Sequence, residues 1–309
     1  MDMLLYTLIF VFSLVVLLKS SDWFVASAEA IGLSLGVSPF IIGLTIVAFG
    51  TSLPELATSI ASVLEGKSEI VVGNVIGSNV TNIALVLGLS AVVVKNIRLE
   101  SDLWLIDMSF LWASAFLLWF ALRDQYVSTF ECILFLLGLA IFLAYSLKGG
   151  QQQSTSERPK VLPRHYLLLL LGGVGVWLGA DYTIYGISGV SELLGVKPKL
   201  IALSAVAIGT SLPEVVVSLA AARRGKASIA VGNVLGSNIF NAYVVMAIPG
   251  LLGPLDIPTD ILSFYLPLMI VMTILFGVMA LDNLITRWEG LLLLLFYVLF
   301  LGQIFSGQG

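Results

Sequence analysis

Long apolar stretches alternate with short polar segments along this chain. A transmembrane helix needs about 20 consecutive apolar residues. The first stretch has no basic segment before it, and we read it as a mature helix rather than a cleaved signal. The pattern predicts an all-α polytopic membrane protein with ten transmembrane helices. The predicted spans lie near residues 3–33, 38–64, 70–93, 103–122, 127–147, 166–190, 197–222, 228–252, 261–281 and 287–305.

The composition agrees with this interpretation. Of the 309 residues, 59% are hydrophobic and 11% are charged, whereas soluble domains average about 25% charged residues. The net charge of −4 gives no indication of a nucleic-acid partner. A single cysteine, Cys132, excludes an intrachain disulfide, and a single histidine, His165, excludes a histidine metal cluster. We expect a monomer in a lipid bilayer, without a cofactor.

The second half of the chain repeats the first. At an offset of 159 residues, Gly36–Asn82 matches Gly195–Asn241 without gaps, and about 26 of the 47 positions are identical. Such self-similarity signals duplication. Five spans per half is an odd number, so the second half must cross the membrane in the opposite orientation, as in many secondary transporters. The sequence therefore predicts a first repeat over 1–147, a linker over 148–165 and an inverted second repeat over 166–309.

Basic residues are unevenly distributed between alternate loops. The poorer side receives Lys67, Arg123, Lys197 and Lys199. By the positive-inside rule, the richer side is cytoplasmic, and we expect a multi-pass plasma membrane protein with a cytoplasmic linker and both termini outside. The richer side collects Lys95, Arg98, Lys148, Arg158, Lys160, Arg164, Arg223, Arg224, Lys226 and Arg287.

Each half carries the string GTSLPE inside a predicted span, at Gly50–Glu55 and at Gly209–Glu214. A carboxylate at membrane depth costs at least ~2.5–3.5 kcal/mol, which makes a functional role the default. Pro54 has no N–H for the carbonyl of Gly50 and disturbs that turn of the helix. Helical spacing puts oxygen-bearing residues on one face in both copies, and an all-oxygen set suits hard cations such as Na⁺ and Ca²⁺. These residues are Ala48, Thr51, Ser52 and Glu55, and Ala207, Thr210, Ser211 and Glu214.

A second motif, G-N-x-x-G-S-N-x-x-N, occupies the next span of each half, at Gly73–Asn82 and Gly232–Asn241. Its glycines form small-xxx-small pairs that allow close helix approach. Ser78 and Asn82 are four residues apart and share a helix face, and so do their second-half counterparts Ser237 and Asn241. Directed at the broken helices, these side chains would complete an oxygen-lined cavity near the midplane.

The paired motifs resemble the α-repeats of the cation/calcium antiporter superfamily, and most closely its sodium/calcium exchangers of the prokaryotic type, which lack a regulatory domain. The resemblance covers almost the whole chain. It implies that the second, third, seventh and eighth spans form the ion-binding core. It also implies that the first and sixth spans slide across this core to alternate access.

The same resemblance implies a ligand set. Glu55 and Glu214 match the acidic ligands shared between Ca²⁺ and Na⁺. At the position of Asn241 some prokaryotic exchangers have Asp, whereas animal sodium/calcium exchangers have Asn, which keeps an oxygen donor without the charge. The remaining matches are the hydroxyls of Thr51, Ser52, Thr210 and Ser211, the carbonyls of Ala48 and Ala207, and the polar ligands Ser78, Asn82, Ser237 and Asn241.

The sequence favours Na⁺/Ca²⁺ antiport but leaves alternatives open. The family stoichiometry of three Na⁺ per Ca²⁺ would make the exchange electrogenic. Proton/calcium exchangers of the superfamily typically carry a glutamate in the third and eighth spans, and potassium-dependent ones an aspartate at the position of Asn241; both are absent here. A cation channel is a further alternative, although inverted repeats with broken helices favour alternating access. An intramembrane protease would need catalytic residues or a metal motif that the sequence lacks.

Overall fold

A computed structural model describes residues 3–99, 107–149, 161–194 and 209–306, most of which are helical. Eight of the described helices are long and apolar enough to cross a membrane, and a shorter apolar helix covers Met108–Leu122. We number the helices in chain order. They are α1 Met3–Ser34, α2 Pro39–Leu64, α3 Glu69–Val94, α4 Asp107–Leu122, α5 Thr129–Gly149, α6 Pro163–Leu193, α7 Leu212–Arg223, α8 Ala227–Leu252, α9 Ile261–Met279 and α10 Arg287–Ser306.

The prediction of a polytopic helical membrane protein is confirmed. Each predicted span coincides with a helix wherever the structure describes it; the start of the fourth span, 103–106, and the first part of the seventh, 197–208, lie outside the described residues. Helix α1 continues through the polar interruption at 19–22. Its Ser21 hydroxyl donates to the carbonyl of Leu17 at 2.8 Å, so this polar group is satisfied within its own helix.

Helices α3 and α8 lie at the centre of the bundle. Within their most apolar 18-residue windows, 78% and 83% of the residues are buried, against 17% for α1. The outward faces of α1 carry exposed apolar side chains such as Leu4, Leu8 and Phe12, as expected for helices that face lipid. The residues of the second motif therefore occupy the most protected part of the fold.

Helix α8 crosses α2 at backbone contact through two glycines of its motif. A Cβ atom at Gly232 would overlap the carbonyl oxygen of Phe40, and one at Gly236 would overlap that of Leu44. The predicted role in close helix approach is confirmed for Gly232 and Gly236. The contact holds the second motif of one half against the broken helix of the other. The predicted role is wrong for Gly73 and Gly77, where an added Cβ would meet no atom of the described residues closer than 3.8 Å.

We expect Gly232→Ala to destabilise the protein, because a methyl group at this position meets backbone atoms that cannot move aside. Overpacking of this kind costs about 1–3 kcal/mol. The matched control is Gly302→Ala in α10, where an added Cβ would have no atom within 4 Å among the described residues. Thermal unfolding in detergent should show a lower Tm for the first variant alone. Equal Tm values would contradict the backbone contact.

Helices α1 and α6 pack along one long antiparallel contact. Three glycines of α6, seven residues apart, approach the backbone of α1 so closely that Cβ atoms would lie 2.7–2.8 Å from it. The hydroxyl of Thr183 donates to that of Ser13 at 3.1 Å. From one contact to the next, the residue number increases by seven in α6 and decreases by seven in α1. The two helices therefore run in opposite directions. The contacts pair Gly172 with Phe24, Gly179 with Leu17, and Gly186 with Phe10.

A short antiparallel pair of strands, which the sequence analysis did not predict, joins two interhelical loops. Strand β1, Asn96–Arg98, follows α3, and strand β2, Leu284–Thr286, precedes α10. Ile97 pairs with Ile285, and both are fully buried. The pair ties the end of the central helix α3 to the start of α10.

Candidate functional site

The helix carrying the first GTSLPE string is broken at its serine. Ser52 adopts φ −90° and ψ 3° between the helical segments Ala48–Thr51 and Leu53–Leu64. Ser211 has nearly the same conformation, φ −88° and ψ 3°, where α7 begins. Pro54 then lies in the first turn of the downstream segment, where its missing N–H removes no helical hydrogen bond. The break thus falls two residues before the proline.

The second motif ends in another backbone irregularity. Asn82 and Asn241 are the first residues of the π-helical turns Asn82–Leu87 and Asn241–Val245. Single π-helical turns inside helices are rare and are frequent at functional sites. In both halves, a candidate ligand therefore lies where the regular helix changes.

The two glutamates of the repeated string lie in the interior. Glu55 and Glu214 are both 0% exposed. The hydroxyl of Ser52 donates to Oε1 of Glu214 at 3.2 Å. A hydroxyl from one half of the chain thus contacts the carboxylate of the other half.

Four further hydroxyls form two pairs that link the halves. The hydroxyl oxygen of Thr51 lies 3.5 Å from that of Ser237, and the hydroxyl oxygen of Ser78 lies 3.4 Å from that of Thr210. At the offset of 159 residues, Thr51 corresponds to Thr210 and Ser78 corresponds to Ser237. The two contacts are therefore equivalent. The broken helix of each half therefore faces the second motif of the other half.

Several asparagines hold these helices in place, a role that the sequence analysis missed. The amide N–H₂ of Asn74 donates to the backbone carbonyl of Glu55 at 3.2 Å and to the hydroxyl of Ser59 at 3.0 Å. Its counterpart Asn233 donates to the hydroxyl of Ser218 at 2.9 Å. The available signal was the recurrence of both asparagines, with their serine partners, at the 159-residue offset.

Six buried oxygens of the predicted set have no hydrogen-bond partner among the described residues. Leaving such atoms unpaired is unfavourable by about 1–3 kcal/mol each, and by more for charged groups. The three ion pairs of the described residues lie outside this cluster. They join Lys67 to Glu65, Arg224 to Asp22, and Lys226 to Glu29. The unpaired atoms are both carboxylate oxygens of Glu55, Oε2 of Glu214, Oγ of Ser211, and Oδ1 of Asn82 and Asn241.

Eleven of the twelve predicted ligands fall within the described residues, while Ala207 lies outside them. The carbonyl oxygen of Ala48 accepts hydrogen bonds from the backbone N–H of Ser52 at 3.0 Å and the hydroxyl of Thr51 at 3.3 Å. The structure thus places this oxygen inside a helical turn, already engaged by two donors.

The chemistry of the cluster is that of an oxygen cage with two carboxyl groups. Among the described residues, no group of three or more His, Cys, Asp or Glu side chains is placed to hold a metal ion. A cation at this position would have to rely on two carboxylates supplemented by hydroxyl and amide oxygens. Hard cations such as Na⁺ and Ca²⁺ accept this donor set.

A polytopic membrane protein that buries two carboxylates and a shell of neutral oxygens at its centre belongs among the ion transporters. More specifically, the chain belongs to the sodium/calcium exchanger protein family, whose model matches residues 5–148 and 164–305. The resemblance inferred from the two repeated motifs is confirmed.

Similar proteins come from archaea and bacteria. Sodium/calcium exchanger MaX1 of Methanosarcina acetivorans is 35% identical over 96% of this chain and 98% of its own length. An uncharacterized membrane protein of Methanocaldococcus jannaschii is 32% identical over 96% of this chain and 97% of its own. Inner membrane protein YrbG of Escherichia coli is 31% identical over 90% and 89%, respectively.

Solved structures of the sodium-calcium exchanger NCX_Mj share this fold. The form soaked with 10 mM Na⁺ and zero Ca²⁺ superimposes with a TM-score of 0.87 at 32% identity, over 97% of this chain and 99% of that one. The form soaked with zero Na⁺ and Ca²⁺ gives a TM-score of 0.84 at 32% identity, over 98% and 100%. The likeness therefore extends over the whole transmembrane domain.

Proposed function

We propose that this protein is a secondary antiporter that exchanges Na⁺ for Ca²⁺ by alternating access at the buried oxygen cluster. The observation that carries the proposal is the full burial of Glu55 and Glu214, one from each half, with three of their four carboxylate oxygens lacking a hydrogen-bond partner among the described residues. Two carboxylates neutralise one Ca²⁺. We propose no bound cofactor, because the ions are the cargo.

The ligand set that we propose is the one that the two repeated motifs predict. The carboxylates take the central role, since both are fully buried and Oε1 of Glu214 accepts a hydrogen bond from the hydroxyl of Ser52 in the other half. Neutral oxygens then complete the coordination shell. They are the hydroxyls of Thr51, Ser52, Thr210 and Ser211, the carbonyls of Ala48 and Ala207, and the side chains of Ser78, Asn82, Ser237 and Asn241.

An inverted repeat explains the contacts of the two halves. The antiparallel contact of α1 with α6 is what inversion of a five-helix unit requires of its first helices. Hydrogen bonds that recur at the 159-residue offset, such as those of Asn74 and Asn233 to serines, support a pseudo-two-fold axis through the site. We infer two five-helix units, 1–147 and 166–309, around a linker at 148–165.

Exchange follows from competition for the same carboxylates. If Na⁺ and Ca²⁺ both need Glu55 and Glu214, the site holds either ion but not both, and opening to alternate sides couples their fluxes. Three Na⁺ against two carboxylates leave one positive charge, so exchange at three to one is electrogenic. We place α1 and α6 as the sliding unit. We also propose a plasma membrane location with a cytoplasmic linker and both termini outside.

Proton/calcium exchange is the second candidate. One relative, from Alkalimonas amylolytica, is named putative antiporter CaxA, with 33% identity over 98% of this chain and 100% of its own. The only carboxylate in α3 or α8 is Glu69, which is exposed at the start of α3. The second motif thus offers no acidic group to exchange a proton at the site, and this favours Na⁺.

The experiment is ⁴⁵Ca²⁺ uptake into proteoliposomes loaded with Na⁺ or with choline. We expect uptake only when Na⁺ is inside and can leave down its gradient. Uptake that ignores Na⁺ but follows an imposed pH gradient would replace this proposal with proton/calcium exchange. Uptake driven by the Ca²⁺ gradient alone, without a counter-ion, would indicate a channel.

A further inference from the structure

We propose that Asn79 and Asn238 are positioning residues that orient the side-chain amides of Asn82 and Asn241, so that the oxygens of those amides face the bound cation. The proposal rests on the proposed function, which places the cation among these oxygens. Neither Asn79 nor Asn238 belongs to the predicted ligand set. Both are buried in the central pair of helices, α3 and α8.

The orientation of the two positioning amides is fixed by backbone carbonyls. The N–H₂ group of Asn79 donates to the backbone oxygen of Asn238 at 3.3 Å, and the N–H₂ group of Asn238 donates to the backbone oxygen of Asn79 at 3.3 Å. A carbonyl oxygen only accepts hydrogen bonds. Each amide must therefore present its nitrogen to the opposite backbone, and its own oxygen is left to accept.

The side-chain oxygens of Asn79 and Asn238 orient the amides of Asn241 and Asn82. Asn241 donates its N–H₂ to Oδ1 of Asn79 at 3.2 Å, and Asn82 donates its N–H₂ to Oδ1 of Asn238 at 3.0 Å. The Oδ1 atoms of Asn82 and Asn241 are consequently the free ends. Both are buried and have no hydrogen-bond partner among the described residues.

The arrangement matters because an amide is nearly the same shape at both ends. The terminal torsion of Asn is broad and roughly two-fold, so rotation by half a turn is sterically mild. Without Asn79, the amide of Asn241 loses the acceptor that holds its nitrogen, and its N–H₂ can turn toward the cation. Removing a partner that orients a metal ligand typically lowers metal affinity by 10–100-fold.

The test is a double-mutant cycle that combines Asn79→Ala with Asn241→Asp. An aspartate has two oxygens, so its half-turn changes nothing for a cation. We expect Asn79→Ala to weaken Ca²⁺ binding by at least about tenfold in the native background. In the Asn241→Asp background, we expect the same substitution to weaken binding much less. The measurement is calorimetric titration of the purified full-length protein with Ca²⁺.

Three controls make the outcome decisive. Ser146→Ala removes a buried hydroxyl whose hydrogen bond among the described residues lies within its own helix, to the carbonyl of Phe142 at 2.9 Å, and it should leave affinity unchanged. The mirror cycle, Asn238→Ala with Asn82→Asp, replaces the first if one of its variants does not fold. Thermal unfolding without ions reports any purely structural effect of each variant.

Equal losses of affinity in the two backgrounds would overturn the positioning role, because general damage to the site does not depend on the residue at 241. Unchanged affinity in Asn79→Ala would overturn it as well. If the native protein bound neither Ca²⁺ nor Na⁺ in the same titration, both this inference and the proposed function would fall. The proposed function alone survives when the native protein binds and the cycle is additive.

Discussion

Replacement of either buried glutamate by glutamine is expected to abolish Ca²⁺ transport. Glu55→Gln and Glu214→Gln each keep the size of the side chain and one oxygen, but each leaves a single carboxylate for a dehydrated divalent ion. Ligand charge is one of the main determinants of Ca²⁺ affinity. We expect at least ~100-fold weaker binding, which corresponds to about 2.7 kcal/mol.

The same variants should fold at least as well as the native protein when ions are absent. The two carboxylates are completely buried, and a buried charge without a partner destabilises a fold. Removing one of them relieves this. We therefore expect an unchanged or higher Tm without Ca²⁺, together with loss of the stabilisation that Ca²⁺ gives to the native protein through binding.

The matched control is Glu69→Gln, at an exposed carboxylate on the first turn of α3. It makes the same chemical change outside the site and should keep both flux and the Ca²⁺-dependent rise in Tm. Near-native Ca²⁺ flux in either Glu55→Gln or Glu214→Gln would refute a shared site. A Tm that fell in both variants without ions would show instead that the glutamates stabilise the fold.

The sequence was sufficient for the helices because its signals are local. Apolar runs of membrane length located the spans, and the first and sixth are the long helices Met3–Ser34 and Pro163–Leu193. The glycine spacing predicted a close crossing in both halves, and the structure has one at Gly232 and Gly236 but not at Gly73 and Gly77. Which helix Gly232 and Gly236 cross, α2 of the other half, is a long-range contact that no local spacing encodes.

The exact position of the helix break could not be predicted from the sequence. Pro54 predicted a disturbed turn, but the residue that leaves the helical conformation is Ser52. The hydroxyl of Thr51 lies near that of Ser237, and the hydroxyl of Ser52 donates to Glu214. Adjacent residues of a regular helix already lie about 100° apart, so the predicted shared face did not define these partners. The partners of each residue depend on the tertiary arrangement and could not be predicted.

The hydrogen bonds among the side-chain amides of Asn79, Asn238, Asn82 and Asn241 were the least predictable feature. Asn79 follows Ser78 directly and therefore lies about 100° around the helix from it, off the face that the spacing of four defined. Its importance arises from reciprocal contacts with Asn238 and from its acceptance of Asn241. Duplication identifies Asn79 and Asn238 as equivalent residues, whereas only the fold shows that they contact each other.

We expect Na⁺ to inhibit Ca²⁺ uptake strongly and competitively. If Na⁺ and Ca²⁺ use the same carboxylates, Na⁺ on the Ca²⁺-loading side must raise the Ca²⁺ concentration needed for half-maximal uptake without lowering the maximal rate. Since several Na⁺ displace one Ca²⁺, the Hill coefficient for inhibition by Na⁺ should exceed one. Choline at equal ionic strength is the control, because it cannot enter an oxygen cage of this kind.

We also expect the rate of Ca²⁺ uptake to depend on membrane potential. If each cycle moves one net charge, a potential contributes ~2.3 kcal/mol per 100 mV. A K⁺ gradient with valinomycin should then speed or slow ⁴⁵Ca²⁺ uptake according to its sign. Uptake that responds to Na⁺ with a Hill coefficient above one but ignores potential would indicate two Na⁺ per Ca²⁺, because two monovalent ions balance the charge of one Ca²⁺. Inhibition by Na⁺ that lowers only the maximal rate would place Na⁺ at a separate site and contradict the shared carboxylates.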